Sequence, residues 1–140
     1  MASDDNIIQF PEFFRLPPDA QKRMRSVIRW YKLDEGHTPI RVKTARGHLE
    51  ALAKRHTAID ETGVDPWNVG RTTIGEVTVS TAFLGLDHNR LGRGTPILFQ
   101  TMIFGADGDS LHQNRCSTWE QAEAMHAEAV AKMRSLKVVK

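Results

Sequence analysis

A carboxylate, an imidazole and a carboxamide stand side by side at Asp87-His88-Asn89. A carboxylate next to an imidazole can orient a general base or join a metal shell, provided other polar groups converge on the same point. Thr81, Gln100, His112 and His126 are the residues the fold would have to bring there. The competing explanation is local: Asp87 and Asn89 supply the side-chain-to-backbone bonds of a turn, and His88 caps a hairpin. Adjacent strand residues diverge, which favours the local explanation unless a second motif fixes the geometry. Thr81, Asp87, His88, Asn89, Gln100 and His126 are therefore the candidate binding residues, and none is assigned as catalytic.

Other chemistries have weaker footing. The six histidines show no close helical or CxxC-type spacing, and His112 with Cys116 offers only two ligands, so neither a metal nor another cofactor is expected. Ser80, Ser117 and Cys116 lack the strand-turn-helix context of an activated nucleophile. Gly92-Arg93-Gly94 is too short for a phosphate loop and is not followed by the Lys-Ser/Thr pair.

The second candidate surface is cationic. Lys22, Arg25, Arg29 and Lys32 fall on one face of an expected helix, flanked by Arg23 and Trp30, and Arg46, Arg90 and Arg93 could extend it. Such a face can lie along nucleic-acid phosphates. The bland reading, the solvated side of an amphipathic helix, is favoured over it, because the formal net charge of +2 implies no polyanion partner and no known nucleic-acid motif accompanies the helix.

The elements that would position these residues follow from periodicity. Arg15-Leu16-Pro17-Pro18 favours an extended lead-in, and Phe10, Phe13 and Phe14 are expected to tuck that arm onto the body. Asp19 caps a helix through about Leu33, with Met24, Val27, Ile28 and Tyr31 on its apolar face. A short extended segment is expected at 40–43 and a second helix at 46–59. Glycine and Asp65-Pro66 then make 60–70 a connector. β-Branched residues place strands at about 71–84 and 96–104, forming a central antiparallel β-hairpin or small sheet. On the first, Val77, Val79, Thr81 and Phe83 share one side. The loop 86–95 between them is suited to binding. An amphipathic helix at about 118–136, opened by a Ser117/Glu120 capping box, packs across the hairpin.

The resulting expectation is an α+β chain of 140 residues forming one domain. It has a helical N-terminal part over 1–60, the connector, and a ββα module over 71–140. At 40% hydrophobic and 26% charged residues the composition is that of a globular protein rather than a disordered one. The single cysteine excludes an intrachain disulfide and favours a reducing compartment. The acidic N-terminus fits neither a signal nor a transit peptide, and no apolar run is long enough to span a bilayer. A cytoplasmic, non-membrane location is expected.

Residues 71–130 resemble an uncharacterised group of small proteins encoded by bacteriophages and prophages. The resemblance rests on Arg71-Thr72-Thr73-Ile74, on Val79-Ser80-Thr81-Ala82-Phe83-Leu84-Gly85-Leu86-Asp87-His88-Asn89, and on Pro96-Ile97-Leu98-Phe99-Gln100-Thr101-Met102-Ile103-Phe104-Gly105. It continues through Ser117-Thr118-Trp119-Glu120-Gln121-Ala122-Glu123 and His126. Where the group has a Pro-Pro pair, a strand Glu and a Tyr, this chain has Thr95-Pro96, Gln100 and Cys116. The resemblance implies a phage context and no reaction. Three functions remain open: a non-catalytic accessory protein binding a host or phage component, with host-modulating or anti-defence action; a nucleic-acid-binding protein using residues 19–33; and an enzyme or small-ligand binder at Asp87-His88-Asn89. Oligomeric state is not encoded in any pattern.

Overall fold

The structure, a computed structural model, describes residues 17–19, 28–89, 91 and 94–138. Phe10, Phe13, Phe14, Lys22, Arg25 and most of the expected first helix lie outside them. Pro18 and Asp19 are already helical, so Asp19 is not the cap residue.

The first helix does not reach Leu33. Trp30–Leu33 is a strand, β1, paired antiparallel with β2, Pro39–Val42, Trp30 lying opposite Val42 and Leu33 opposite Pro39. The helical spacing that ends at Tyr31 is real but is overridden by long-range bonding. The Tyr31 N–H donates to the Gly85 carbonyl and the Asp87 N–H to the Arg29 carbonyl, each at 2.9 Å. Trp30 is 4% exposed, packs with Val42 and Ala45, and stacks on the His48 ring at 5.1 Å. Asp34 shapes the hairpin turn by accepting from the Gly36 and Thr38 N–H groups at 2.9 and 2.8 Å.

Helix α1, Ala45–Thr62, encloses the expected 46–59 segment. Thr44 is its N-cap, accepting from the Gly47 N–H at 2.9 Å. Over residues 28–62 the chain is thus a β-hairpin followed by a helix, where a helical part was expected.

The expected strand at 71–84 is itself a hairpin. β3, Asn68–Ile74, and β4, Val77–Phe83, meet at Gly75-Glu76, where Gly75 takes φ 61°, as a two-residue turn requires. β4 pairs antiparallel with β5, Phe99–Phe104, as expected. A further strand, β6, Ser110–Cys116, had no forecast; it completes a four-stranded sheet ordered β3-β4-β5-β6. Ser-Leu-His-Gln-Asn carries little β-propensity, and the strand exists because β5 offers a free edge.

Helix α2, Trp119–Val138, covers one face of this sheet. Its cap lies one residue later than expected. The Thr118 hydroxyl accepts from the Gln121 N–H at 3.1 Å, and the Gln121 side chain accepts from the Ser117 and Thr118 N–H groups at 3.0 and 3.2 Å. The reciprocal box is Thr118/Gln121 rather than Ser117/Glu120. Among the described residues no helix is long and apolar enough to cross a membrane.

The α2-facing side of the sheet holds two apolar clusters. One joins Trp67, Phe83, Leu98, Phe99, Trp119 and Ala122; the other joins Val79, Ile103 and Val130. In the first, edge-on and tilted rings run from Trp67 through Phe83 and Phe99 to Trp119, and the His37 ring stacks on Trp119 with centroids 3.7 Å apart. That stack ties the β1–β2 turn to the start of α2.

Candidate functional site

The loop candidates form a clamp that is closed within the fold. β1 lies beside the segment leaving β4, which brings Arg29 onto Asp87. The guanidinium donates through Nε to Asp87 Oδ2 at 2.9 Å, and a second nitrogen donates to the Asn89 carbonyl at 2.8 Å. The other carboxylate oxygen accepts from the Asn89 and Ile97 N–H groups at 2.8 and 2.9 Å. With its side chain only 4% accessible, Asp87 spends both oxygens on the loop. Asn89 bridges the same loop, donating to the Thr95 carbonyl at 2.9 Å and accepting from the Leu91 N–H at 3.1 Å. The His88 N–H donates to the Ile97 carbonyl at 2.9 Å. These are the turn bonds that the local explanation requires.

Thr81 and His126 come together elsewhere, between the two apolar clusters. His126 Nδ1 lies 2.8 Å from Thr81 Oγ1 and Nε2 lies 2.9 Å from Thr72 Oγ1, while Thr81 Oγ1 is 2.6 Å from Thr101 Oγ1. A neutral imidazole donates from one nitrogen and accepts at the other, so the chain Thr101, Thr81, His126, Thr72 satisfies itself. Burial holds His126 below the usual imidazole range, which keeps it neutral. Thr81 and Thr101 are 0% and 1% exposed, whereas His126 and Thr72 are half-buried. The ring fits because Gly70 lies beneath it: a Cβ there would stand 3.0 Å from ring atoms.

Gln100 joins neither group. Register puts it opposite Ala82, one residue out of phase with Thr81, so it faces away from α2 and accepts from Arg115 Nε at 2.8 Å. The six candidates are thus split between the loop, the sheet-helix seam and the far face of the sheet. Thr72, Thr101 and Gly70 were missed; the alternation that marks Val79 and Thr81 also runs through Gly70 and Thr72 on β3 and could have revealed them.

Of the cationic candidates, Arg29 is engaged by Asp87 and Asn89, and Lys32 is exposed on β1. Arg90 and Arg93 lie outside the described residues. Cys116 is half-buried, and desolvation pushes its thiol up, so it is a poor nucleophile at neutral pH. Among the described residues no three His, Cys, Asp or Glu side chains converge as metal ligands would.

A groove of about 920 Å3 lies between the β1–β2 hairpin, the first half of α1 and Pro66-Trp67. Its size is that of a ligand pocket, typically about 300–1,000 Å3. Arg55 closes one end. It forms a bidentate pair with Asp65, at 2.8 and 2.6 Å, and lies 4.5 Å over the Trp67 ring, and its guanidinium holds the Asp65 carboxyl below the ordinary carboxylate range.

Together these features define an α+β protein with a four-stranded antiparallel sheet, one helix across it, and a hairpin-helix unit bonded to the segment that leaves β4. Compared with protein-family models, curated proteins and solved structures, the chain matches none.

Proposed function

We propose that this is a non-catalytic binding protein of bacteriophage or prophage origin, acting on a host or phage component in the cytoplasm of a bacterial host. Its host-modulating or anti-defence character follows from the same reading. The phage context is supported by the resemblance over residues 71–130. The absence of a reaction is supported by one observation above all: the groups best suited to catalysis are saturated by fold-internal bonds. Asp87 has both oxygens in the loop clamp and His126 has both nitrogens on threonine hydroxyls. A general base must instead have a lone pair within reach of a substrate proton.

The clamp serves binding by fixing the two ends of the loop, at Asp87–Asn89 and at Thr95–Ile97, which lowers the ordering cost on association. Leu91, 79% exposed, is the apolar contact it offers. Purification of the tagged chain from phage-infected cells tests the reading. A stoichiometric partner that is lost on Leu91→Asp is expected, and recovery of the chain alone would overturn it.

A further inference from the structure

The groove beside α1 has a composition that points to a particular kind of occupant. Five cationic side chains line it, and two are already committed: Arg55 to Asp65, and Arg41 to the Val42 carbonyl at 2.7 Å, 5.9 Å over the Tyr31 ring. The remaining three, Lys32, Lys43 and Lys54, are exposed and form no ion pair among the described residues. Lys32 lies on β1, Lys43 in the link between β2 and α1, and Lys54 on α1. Between them the lining is aliphatic: Leu33, Ile40 and Ala51, with Ile40 39% exposed. The walls are held in place. Val42 lies so close to the start of α1 that a Cβ on Gly47 would stand 3.0 Å from it, and the Arg55–Asp65 pair fixes the other end.

We infer that this groove binds an acidic peptide segment of a partner protein, one in which Asp or Glu residues alternate with aliphatic side chains. Spaced lysines and aliphatic lining residues are matched at once by such a segment: its carboxylates meet the lysines while its apolar side chains cover Ile40 and Leu33. A nucleic-acid strand matches less well. Asp34, Glu35 and Glu50 also line the groove and would repel a continuous phosphate chain, whereas a peptide can place its charges only where the lysines are. Single strands are also held by stacking on accessible aromatic faces; of the two aromatic rings named in the lining, Trp67 is 7% exposed with Arg55 over it, and His37 already stacks on Trp119. The inference rests on the chain being a binding protein but not on its 86–95 loop, so failure of Leu91→Asp to matter leaves the groove to be judged separately.

Selection of short random peptides displayed on the full-length protein tests this. The wild-type chain is expected to enrich sequences with acidic and aliphatic residues interleaved. The most enriched peptide, synthesised, should bind at least about tenfold more weakly to the Lys43→Glu/Lys54→Glu protein and weaken with added salt. Both lysines are exposed, so the variant should keep the circular dichroism of the parent. Ile40→Ser, which removes only the apolar contact, should also weaken binding. Enrichment of peptides without acidic residues, equal enrichment on the variant, or no enrichment would each overturn the inference. So would tighter binding of oligothymidylate than of any selected peptide, with the same lysine dependence, since that would make the groove a nucleic-acid site.

Discussion

At the scale of single residues, the strongest determinant is the Arg29–Asp87 pair. A carboxylate 4% accessible survives burial only when its charge and lone pairs are met, and three donors meet those of Asp87, two backbone amides and the guanidinium Nε, with a second guanidinium nitrogen at ion-pair distance. Arg29→Met leaves that carboxylate buried against two amides and should cost about 3 kcal/mol in urea unfolding. Arg29→Met with Asp87→Asn should cost less than the sum of the single changes, because the orphaned charge is gone. Buried His48 and half-buried His126 give a pH signature. Burial pushes His48 from 6.5 down to about 4 and lowers His126 as well. The unfolded chain therefore binds protons that the native state refuses, so stability is full above about pH 6.5 and falls as pH drops toward 4. His48 alone should account for about 2 kcal/mol lost by about pH 5, and His48→Phe should flatten the dependence of the urea midpoint on pH over that window.

At the scale of elements, the ends of α2 and β4 carry sharper tests than their middles. Thr118→Ala removes the cap hydroxyl that receives the Gln121 amide and should cost about 1 kcal/mol, whereas Ser117→Ala, at the position the sequence pattern suggested, should be nearly neutral. Thermal midpoints of the two variants decide the register of the cap. Gly85 follows β4 at φ 77°, and a Cβ there would stand 2.7 Å from the Trp67 ring. Gly85→Ala combines backbone strain with a clash in the aromatic cluster and should lose at least about 2 kcal/mol by chemical denaturation. The peptide that β1 sends across to Gly85 gives the same glycine a second duty, since its carbonyl receives the Tyr31 amide.

At the scale of the whole molecule, the hairpin-helix unit and the sheet-helix unit are joined by contacts far apart in the chain. Trp30 bridges to Leu86, Arg29 bonds Asp87, His37 stacks on Trp119, and Arg55 covers Trp67. Stability should be graded outward from the sheet centre. Amides of Val79, Thr81, Thr101 and Ile103, on central strands and at most 2% exposed, should exchange hydrogen only through global unfolding. Those of Leu111, His112 and Gln113, on the exposed edge strand β6, should exchange at least about tenfold faster, through local opening.

The pattern of residues was enough for those features that arise from local periodicity and side-chain chemistry. Alternation placed Val77, Val79, Thr81 and Phe83 on one side of a strand, and the apolar stripe from Trp119 to Leu136 defined the helix that covers them, although Leu136 at its end is 56% exposed. Helix α1 and the pairing of β4 with β5 were legible for the same reason. What the chain could not announce locally was decided by tertiary contact. Trp30–Leu33 has helical spacing yet becomes a strand, because backbone bonds to Gly85 and Asp87 and burial of Trp30 outweigh a weak local preference. The polar β6 is a strand only by virtue of the β5 edge. Asp87, His88 and Asn89 looked like a site because adjacent polar residues carry no record of their partners. Arg29, 58 residues away from Asp87, supplies that partner and turns the constellation into a clamp. The lysines of the groove likewise lie on three separate segments, and a shared cavity is a property of distance in space, which spacing along the chain does not encode.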